Sequence, residues 1–479
     1  MSTRVSHQGW LLGVLLVVPF MSQADATIAN VATPSIHTDL GASGAMLELV
    51  IGGYLIAFAV LLITGARLGQ SHGYRRVLIL GMGLFTAASL LCGLAPNPIT
   101  LVGARVLQGF GAALMFPQTL TGIQLNFTGA QRTRAIGLYA LALSAGAVVG
   151  QILGGALISA DIAGGQWRPI FLINVPVGVL GIAAALRYLS VDTSPSTSRR
   201  LDLLGVAALS AAMLLLVVPL TLGHSQGWPL WAWLCLGAAV PAILAFLVIE
   251  RRVAAQGGSP LVNVAVLARP AVCWALLTLI AATGSYYALL FTLAQYLQQG
   301  LGYSPLVSGL TLVPWVAAFG LAGQLVRRLP PRAKPAAPAA GCLLLALAYA
   351  TISTALFIGH HGEPLLVILL GFGGLGLGIQ FSALIVHLTT VVPTDYAPDI
   401  SGVSTTTLQI GAAIGVAAFG TLYLSLNAQT GTGHATHAFA VTTAALTAIA
   451  LLAAAAAHQA TKPRRATEAP ALQPQQANL

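Results

Sequence analysis

A chain of 479 residues, 57% hydrophobic and only 7% charged, cannot cover a water-facing surface, since soluble domains carry about a quarter charged residues. Lipid must be its main solvent, and a soluble enzyme is excluded. The net charge of +10 does not mark a nucleic-acid binder, because the cations stand in short clusters between apolar runs, the pattern that orients helices in a bilayer.

Fourteen apolar runs, 9–31, 46–66, 76–95, 99–121, 134–158, 169–189, 202–222, 230–249, 271–293, 305–325, 338–358, 364–388, 403–425 and 436–458, approach the ~20 residues a spanning helix requires. They lack the alternation of barrel strands, and open sheets cannot face lipid. The first run is too long for a signal-peptide core and reads as a retained span. With residues 1–8 cytoplasmic, every second connection is basic: Arg67, Arg75 and Arg76; Arg132 and Arg134; Arg187, Arg199 and Arg200; Arg251, Arg252 and Arg269; Arg327, Arg328, Arg332 and Lys334. Lys462, Arg464 and Arg465 follow the last run, and the opposite connections hold only Arg168. This asymmetry predicts both termini in the cytoplasm. The weak point is the connection after run twelve, with Asp395 and Asp399 and no cation. Residues 459–479, rich in Ala, Gln and Pro, are expected to be disordered.

A faint repeat runs through the chain. Gly146-x-x-x-Gly150 has a counterpart in Gly411-x-x-x-Gly415, and the basic loop beginning at Gly65 has one beginning at Gly323. Residues 9–190 and 271–458 therefore read as two similar six-helix bundles, with two inserted helices in 191–270. Parallel halves around a midplane cavity form a transporter layout.

Deep charges carry the chemistry. Arg105 sits in the fourth run and Asp25 in the first, at depths of roughly 10 and 12 Å from the outer end at 1.5 Å per residue. Arginine cannot shed its proton and needs a partner in oil, and Asp25 is the leading one. The pair is either a static lock or a carboxylate that exchanges a proton as the cavity switches sides. Glu48, opening the second run, is either an acid at a helix N-terminus or a secondary proton-relaying group. In the fifth run Gly146, Gly150 and Gly154 recur every four residues, with Gly155 and Gln151 beside them. This smooth face is expected to pack closely, possible use being a sliding seam between halves. Asn30, Tyr54, Gln118, Tyr286, Tyr287, Gln295, Gln380 and Gln409 are candidates to line the cavity, inter-helix bonds being the alternative. Cys92, Cys235, Cys273 and Cys342 lack metal-ligand spacing, and His360-His361 and His434-x-x-His437 are weak metal candidates, so no metal is expected. Asn126-Phe-Thr128 is discounted as a glycosylation site on the cytoplasmic side. No phosphate-cradling Gly-Lys-Ser loop or nucleophile elbow is present in the sequence, which argues against ATP-driven pumping and covalent catalysis.

From about Leu11 to Tyr423 the sequence resembles the fourteen-span drug:proton antiporters of the major facilitator superfamily, of the quaternary-ammonium-exporter type. Asp25-Ala-Thr-Ile-Ala-Asn-Val-Ala looks like the first-helix motif of that group. Arg105-Val-Leu-Gln108-Gly109 with Gly111 looks like the fourth-helix motif linked to proton coupling, and Gly146 to Gly155 like the antiporter motif. Trp167-Arg-Pro-Ile-Phe-Leu-Ile-Asn-Val-Pro-Val-Gly178 and Tyr296-Leu-Gln-Gln-Gly-Leu-Gly-Tyr-Ser-Pro305 are further family-like stretches. The gating-loop motif falls on Gly65, Gly69, Gln70, Gly73, Arg75 and Arg76, with Gln70 where the family usually carries an acid that helps latch the cytoplasmic side. Gln151 stands where proline often follows the middle glycine. The resemblance implies an all-α membrane protein of the bacterial inner membrane, monomeric and without cofactor. It implies export of amphipathic or cationic small molecules in exchange for protons, without nucleic acid. A dedicated exporter of one metabolite or antibiotic is the alternative, and a non-transporting scaffold or sensor the third reading.

Overall fold

The computed structural model describes residues 2–189, 203–223, 226–256, 258, 260, 264–359, 363–392, 397–427 and 434–462. Side chains at some helical positions, Asn30 and Glu48 among them, fall outside the description, as do His360, His361, Asp395, Arg199, Arg200, Arg464, Arg465 and the tail beyond 462. The described residues hold helices and no strand.

The first half comprises α1 (Ser2–Leu40), α2 (Gly44–His72), α3 (Tyr74–Gly93), α4 (Pro98–Asn126), α5 (Gly129–Ala160), α6 (Pro169–Leu172) and α7 (Asn174–Tyr188). Then come α8 (Leu203–Leu222), α9 (Leu230–Ala255) and the short α10 (Val264–Leu267). The second half holds α11 (Pro270–Gln295), α12 (Pro305–Thr311), α13 (Val313–Arg328), α14 (Ala337–Phe357), α15 (Glu363–Val391), α16 (Ala397–Gly415), α17 (Thr421–Asn427) and α18 (His434–Thr461). π-Helical turns follow α11 at Tyr296–Gly300 and α16 at Val416–Gly420.

Local chemistry sets the ends. Asn97 Oδ1 accepts from Thr100 N at 2.9 Å and caps α4, satisfying an orphan donor of the first turn. Ser43 and Ser304 cap α2 and α12 in the same way. Gly73, at φ +89°, makes the corner between α2 and α3, a region open to glycine at little cost. Two predicted runs are broken where proline removes a donor. Pro176 cannot bond the Leu172 carbonyl, and the sixth run splits into α6 and α7. Pro314 cannot bond Leu310, and the tenth splits into α12 and α13.

Among the described residues thirteen helices are long and apolar enough to span a bilayer, the first over Gln8–Ala29. A shorter apolar helix, Leu204–Leu220, stands where the seventh predicted span falls. The chain is a multi-pass membrane protein.

Within the first half α4 packs on α2 and α3, and α5 on α1. In the second, α14 packs on α15 and α18, α13 on α15, and α11 on α16 and α18. α8 and α9 pack on each other, and α8 leans on α2 through Leu209 and Met213 near Val60 and Ile63. The halves meet chiefly where α5 contacts α13 and where α2 contacts α16.

The glycine face of α5 does not lie between the halves, as a sliding seam would require. A methyl group at Gly146 would meet Phe20, one at Gly150 would meet Ala24 and Thr27, and one at Gly154 would meet Ile28. All four belong to α1, so the seam lies inside the first half. The repeat reproduces it: Gly411 lies against Ile280 and Gly415 against Gly284 of α11. Between the halves, Gly137 of α5 meets Gly323 of α13 backbone to backbone, with a Cβ on Gly137 only 3.0 Å from Gly323 Cα. Sequence reading also missed Glu250, a fully buried acid near the end of α9.

Candidate functional site

Four polar side chains from three helices, α1, α4 and α7, converge inside the first half. Asp25 is 1% exposed, Arg105 and Gln108 0%, and Asn174 6%. Arg105 Nη1 donates to Asp25 Oδ2 at 2.5 Å. Asp25 Oδ1 accepts from Gln108 Nε2 at 2.8 Å and from Asn174 Nδ2 at 2.7 Å. The guanidinium is itself held: its Nε donates to the Val50 carbonyl at 2.9 Å, its Nη1 also to Gln108 Oε1 at 2.7 Å, and it lies 4.5 Å over the Tyr54 ring. Gln108 Nε2 further donates to Ser89 Oγ at 2.8 Å.

Each position follows from its helix. Arg105 and Gln108 are three apart on α4 and share one face. Gly109 and Gly111 let α4 approach α2 and α3, because a methyl group there would meet Tyr54 or Phe85 backbone. Asp25 is presented by α1, drawn close to α5 by Gly150, and Thr27 Oγ1 donates across that seam to the Ala147 carbonyl at 2.9 Å. Asn174 begins α7 just beyond the break. An ionised carboxylate accepting three donors is matched to this shell, and removing one member of a buried pair typically costs about 3–5 kcal/mol. A group so placed can hold a negative charge beside a guanidinium that stays charged.

The other candidates divide. Tyr54 belongs to the charged site, and its hydroxyl donates to the Ser22 carbonyl at 3.1 Å. Gln118 makes an inter-helix bond: it donates to the Gly65 carbonyl at 2.8 Å, its amide filling the space beside Gly69. Gln70 accepts a hydrogen bond from Arg67, which also donates to the Pro260 carbonyl, and Arg75 donates to the Leu186 carbonyl at 2.6 Å. Tyr287 and Tyr286 do meet the first half: Gln23 Nε2 donates to the Tyr287 hydroxyl at 2.6 Å, and Ser144 and Tyr286 hydroxyls lie 3.3 Å apart. Tyr286 stacks on Trp315 with centroids 5.5 Å apart. Gln380 is buried with Nε2 unpartnered in the described structure, while Gln151, Gln295 and Gln409 are half-buried. Glu48 lies in the early turns of α2 and Asn30 in α1, their side chains outside the description.

Asn174, Ser89 and the Val50 carbonyl were not found from sequence. An asparagine in an apolar run has no charge to announce a partner, and this one bonds across 149 positions.

The sequence model of the Major Facilitator Superfamily matches residues 15–416. The chain belongs to the major facilitator superfamily. Its relatives in this superfamily include a probable actinorhodin transporter of Streptomyces coelicolor, 36% identical over 419 residues, 87% of this chain and 72% of that one. The cephamycin export protein CmcT of Amycolatopsis lactamdurans is 34% identical, covering 83% of this chain and 81% of its own. The multidrug resistance protein Stp of Mycobacterium tuberculosis is 32% identical, covering 84% and 73%. The superfamily fold is also that of the proton:xylose symporter XylE, with a TM-score of 0.62 at 14% identity, covering 93% of this chain and 95% of that one. These relatives are transporters and exporters, not enzymes, and the chain is a superfamily efflux transporter.

Proposed function

We propose that this transporter is a proton-coupled antiporter of the fourteen-span type, exporting small molecules by alternating access. The observation that carries the reading is a carboxylate, Asp25, sealed from water and held by Arg105, Gln108 and Asn174. Protonation removes the charge that Arg105 binds. The guanidinium is then left with the Val50 and Gln108 oxygens, and the balance between conformations shifts by the lost attraction. The fourteenth span is α8, and residues 9–190 and 271–458 form the two bundles, with α8 and α9 inserted. Both termini face the cytoplasm and the membrane is the bacterial inner membrane. Glu48 is a secondary acid at the outer mouth, and the chain works as a monomer.

The substrate belongs to the amphipathic class. Where the halves meet, Tyr287 bonds Gln23 and Tyr286 lies beside Ser144, and Asp25 already has both oxygens engaged. These tyrosines favour an aromatic-bearing metabolite or antibiotic over a cation that needs a free carboxylate, and two relatives are each named for the export or transport of a single compound. Proteoliposomes with an imposed pH gradient test the reading. Asp25→Asn is expected to abolish proton-driven export while leaving substrate exchange without a gradient intact. Normal coupled export by that variant would refute it.

A further inference from the structure

Asp25 has two kinds of partner, and their chemistry differs. Arg105 offers donors only, so it can hold the carboxylate but not receive a hydrogen bond from the acid. A carboxamide carries a donor and an acceptor on one planar group, and a half-turn of that plane exchanges them. Gln108 is not at liberty to turn: its oxygen accepts from Arg105 and its nitrogen also donates to Ser89. Asn174 donates to Asp25 Oδ1 at 2.7 Å, and no other bond of its side chain is described.

Asn174 is also well anchored relative to α1. Trp167, fully buried, donates from Nε1 to Asp39 Oδ2 at 3.0 Å, and Arg168 Nη1 donates to the same oxygen at 2.7 Å. That clasp joins the far end of α1 to the residues that open α6, and Asn174 follows one short turn later. The helix that carries Asp25 thus also fixes the segment that carries Asn174.

We propose that Asn174 is a positioning residue that holds Asp25 in both protonation states, donating to the carboxylate and, after its amide turns, accepting from the carboxylic acid. The inference rests on Asp25 being the proton carrier. A proton arriving from one side bonds to Asp25 Oδ1, and the new O–H donates to Asn174 Oδ1. Arg105 loses the charge and keeps the Val50 carbonyl and Gln108 Oε1. On release the proton passes to water on the opposite side, the amide turns back, and Arg105 recovers its partner. The α1–α7 contact survives both steps while the Arg105–Asp25 ion pair between α1 and α4 alternates, so only that ion pair marks which half of the cycle the site is in. The other titratable groups nearby are Cys92 on α3, whose thiol approaches Gln108 Oε1 at 3.7 Å, Tyr54 on α2 beneath Arg105, and Tyr287 on α11, bonded to Gln23. Among the described side chains of α5, α6 and α7, no ionisable group bonds Asp25.

The test is infrared difference spectroscopy on the full chain in vesicles against pH, beside proton-driven export. The Asp25 carboxyl band is assigned by its loss in Asp25→Asn, and the Asn174 carbonyl band by its loss in Asn174→Leu, which keeps the side-chain shape. The expected result is that both bands move with one common midpoint. In Asn174→Leu and Asn174→Ala the Asp25 midpoint and the pH profile of export rise together, by about half a unit to one unit, because a bond to a charged acceptor is roughly twice as strong as one between neutral groups. Asn174→Ser, whose hydroxyl both donates and accepts, recovers part of the shift. A pH-independent Asn174 carbonyl band, or an unmoved Asp25 midpoint in both variants even with reduced export, overturns the proposal. If the midpoints move but wild-type vesicles show no proton-driven export, the proposal stands and the antiport reading falls.

Discussion

Replacing Gly150 with alanine tests whether the tight α1–α5 seam sets the geometry of the charged site. An ideal Cβ at Gly150 stands 2.7 Å from Ala24 Cα, and closer still to the Ala24 carbonyl oxygen and the Thr27 hydroxyl. Carbon contacts relax to about 3.5–4.0 Å, so the helices must part by about 1 Å. Ala24 precedes Asp25, whose three hydrogen bonds span 2.5, 2.7 and 2.8 Å. A shift of about 1 Å carries them to the ~3.5 Å limit beyond which they cease to count. Overpacking of this kind costs about 1–3 kcal/mol, and loss of positioning of about 1 Å is worth on the order of 10²-fold in a preorganised site. The assay pairs initial rates of proton-driven export with thermal melting of the purified protein. Gly103→Ala in α4 is the control: its Cβ meets nothing within 4 Å, and it should gain about 0.5–1 kcal/mol from the lost flexibility of glycine. Should Gly150→Ala export at the wild-type rate and melt no lower than Gly103→Ala, the link between seam and site is wrong.

Two further outcomes follow from the ends of the molecule. Asp39 is held below the usual carboxylate range, first by the Trp167 N–H and then by Arg168. Its folded value lies below its unfolded value of about 3.9, so the clasp stabilises the protein above that pH and loses its contribution as pH falls through the folded value. Arg168→Gln should therefore melt slightly below wild type at neutral pH and coincide with it in strong acid; the pair is 30% and 23% exposed, which keeps the difference under about 1 kcal/mol. A gap that widens on acidification would contradict this. Gln70→Asp supplies Arg67 with a carboxylate in place of the present amide oxygen; it should raise the melting temperature by about 2 °C and slow turnover, and a lower melting point with faster export would show that the loop is not a latch.

The spans were legible because lipid leaves only one economical way to satisfy a backbone, and the apolar runs therefore announce helices. Where two of them break was written in Pro176 and Pro314, which a hydropathy window does not weigh. Asp25 and Arg105 were legible as a pair because charges in oil are few and each needs the other. Asn174 was not, since a neutral amide in an apolar stretch has many plausible partners. The direction of the α5 glycine face was equally hidden: spacing reveals a smooth stripe, but only three-dimensional packing shows that α1, and not the opposite half, fills it. Gln118 was left open between cavity lining and an inter-helix bond for a related reason, because a buried amide reads alike whether it faces a channel or a neighbouring carbonyl such as that of Gly65.

The meeting of Gly137 with Gly323 has a mechanical meaning. Side chains on facing helices normally mesh like teeth, and a tilt then requires them to climb over one another. Here bare main chain rests on bare main chain, a fulcrum with no cog to strip. In the rocking motion proposed above, rotation about that point has to carry Leu141 of α5 past Gly320 of α13 close by, whereas compression is opposed by two stiff backbones. A single methyl at either glycine would act as a wedge at the pivot, prising the bundles apart without touching a charge.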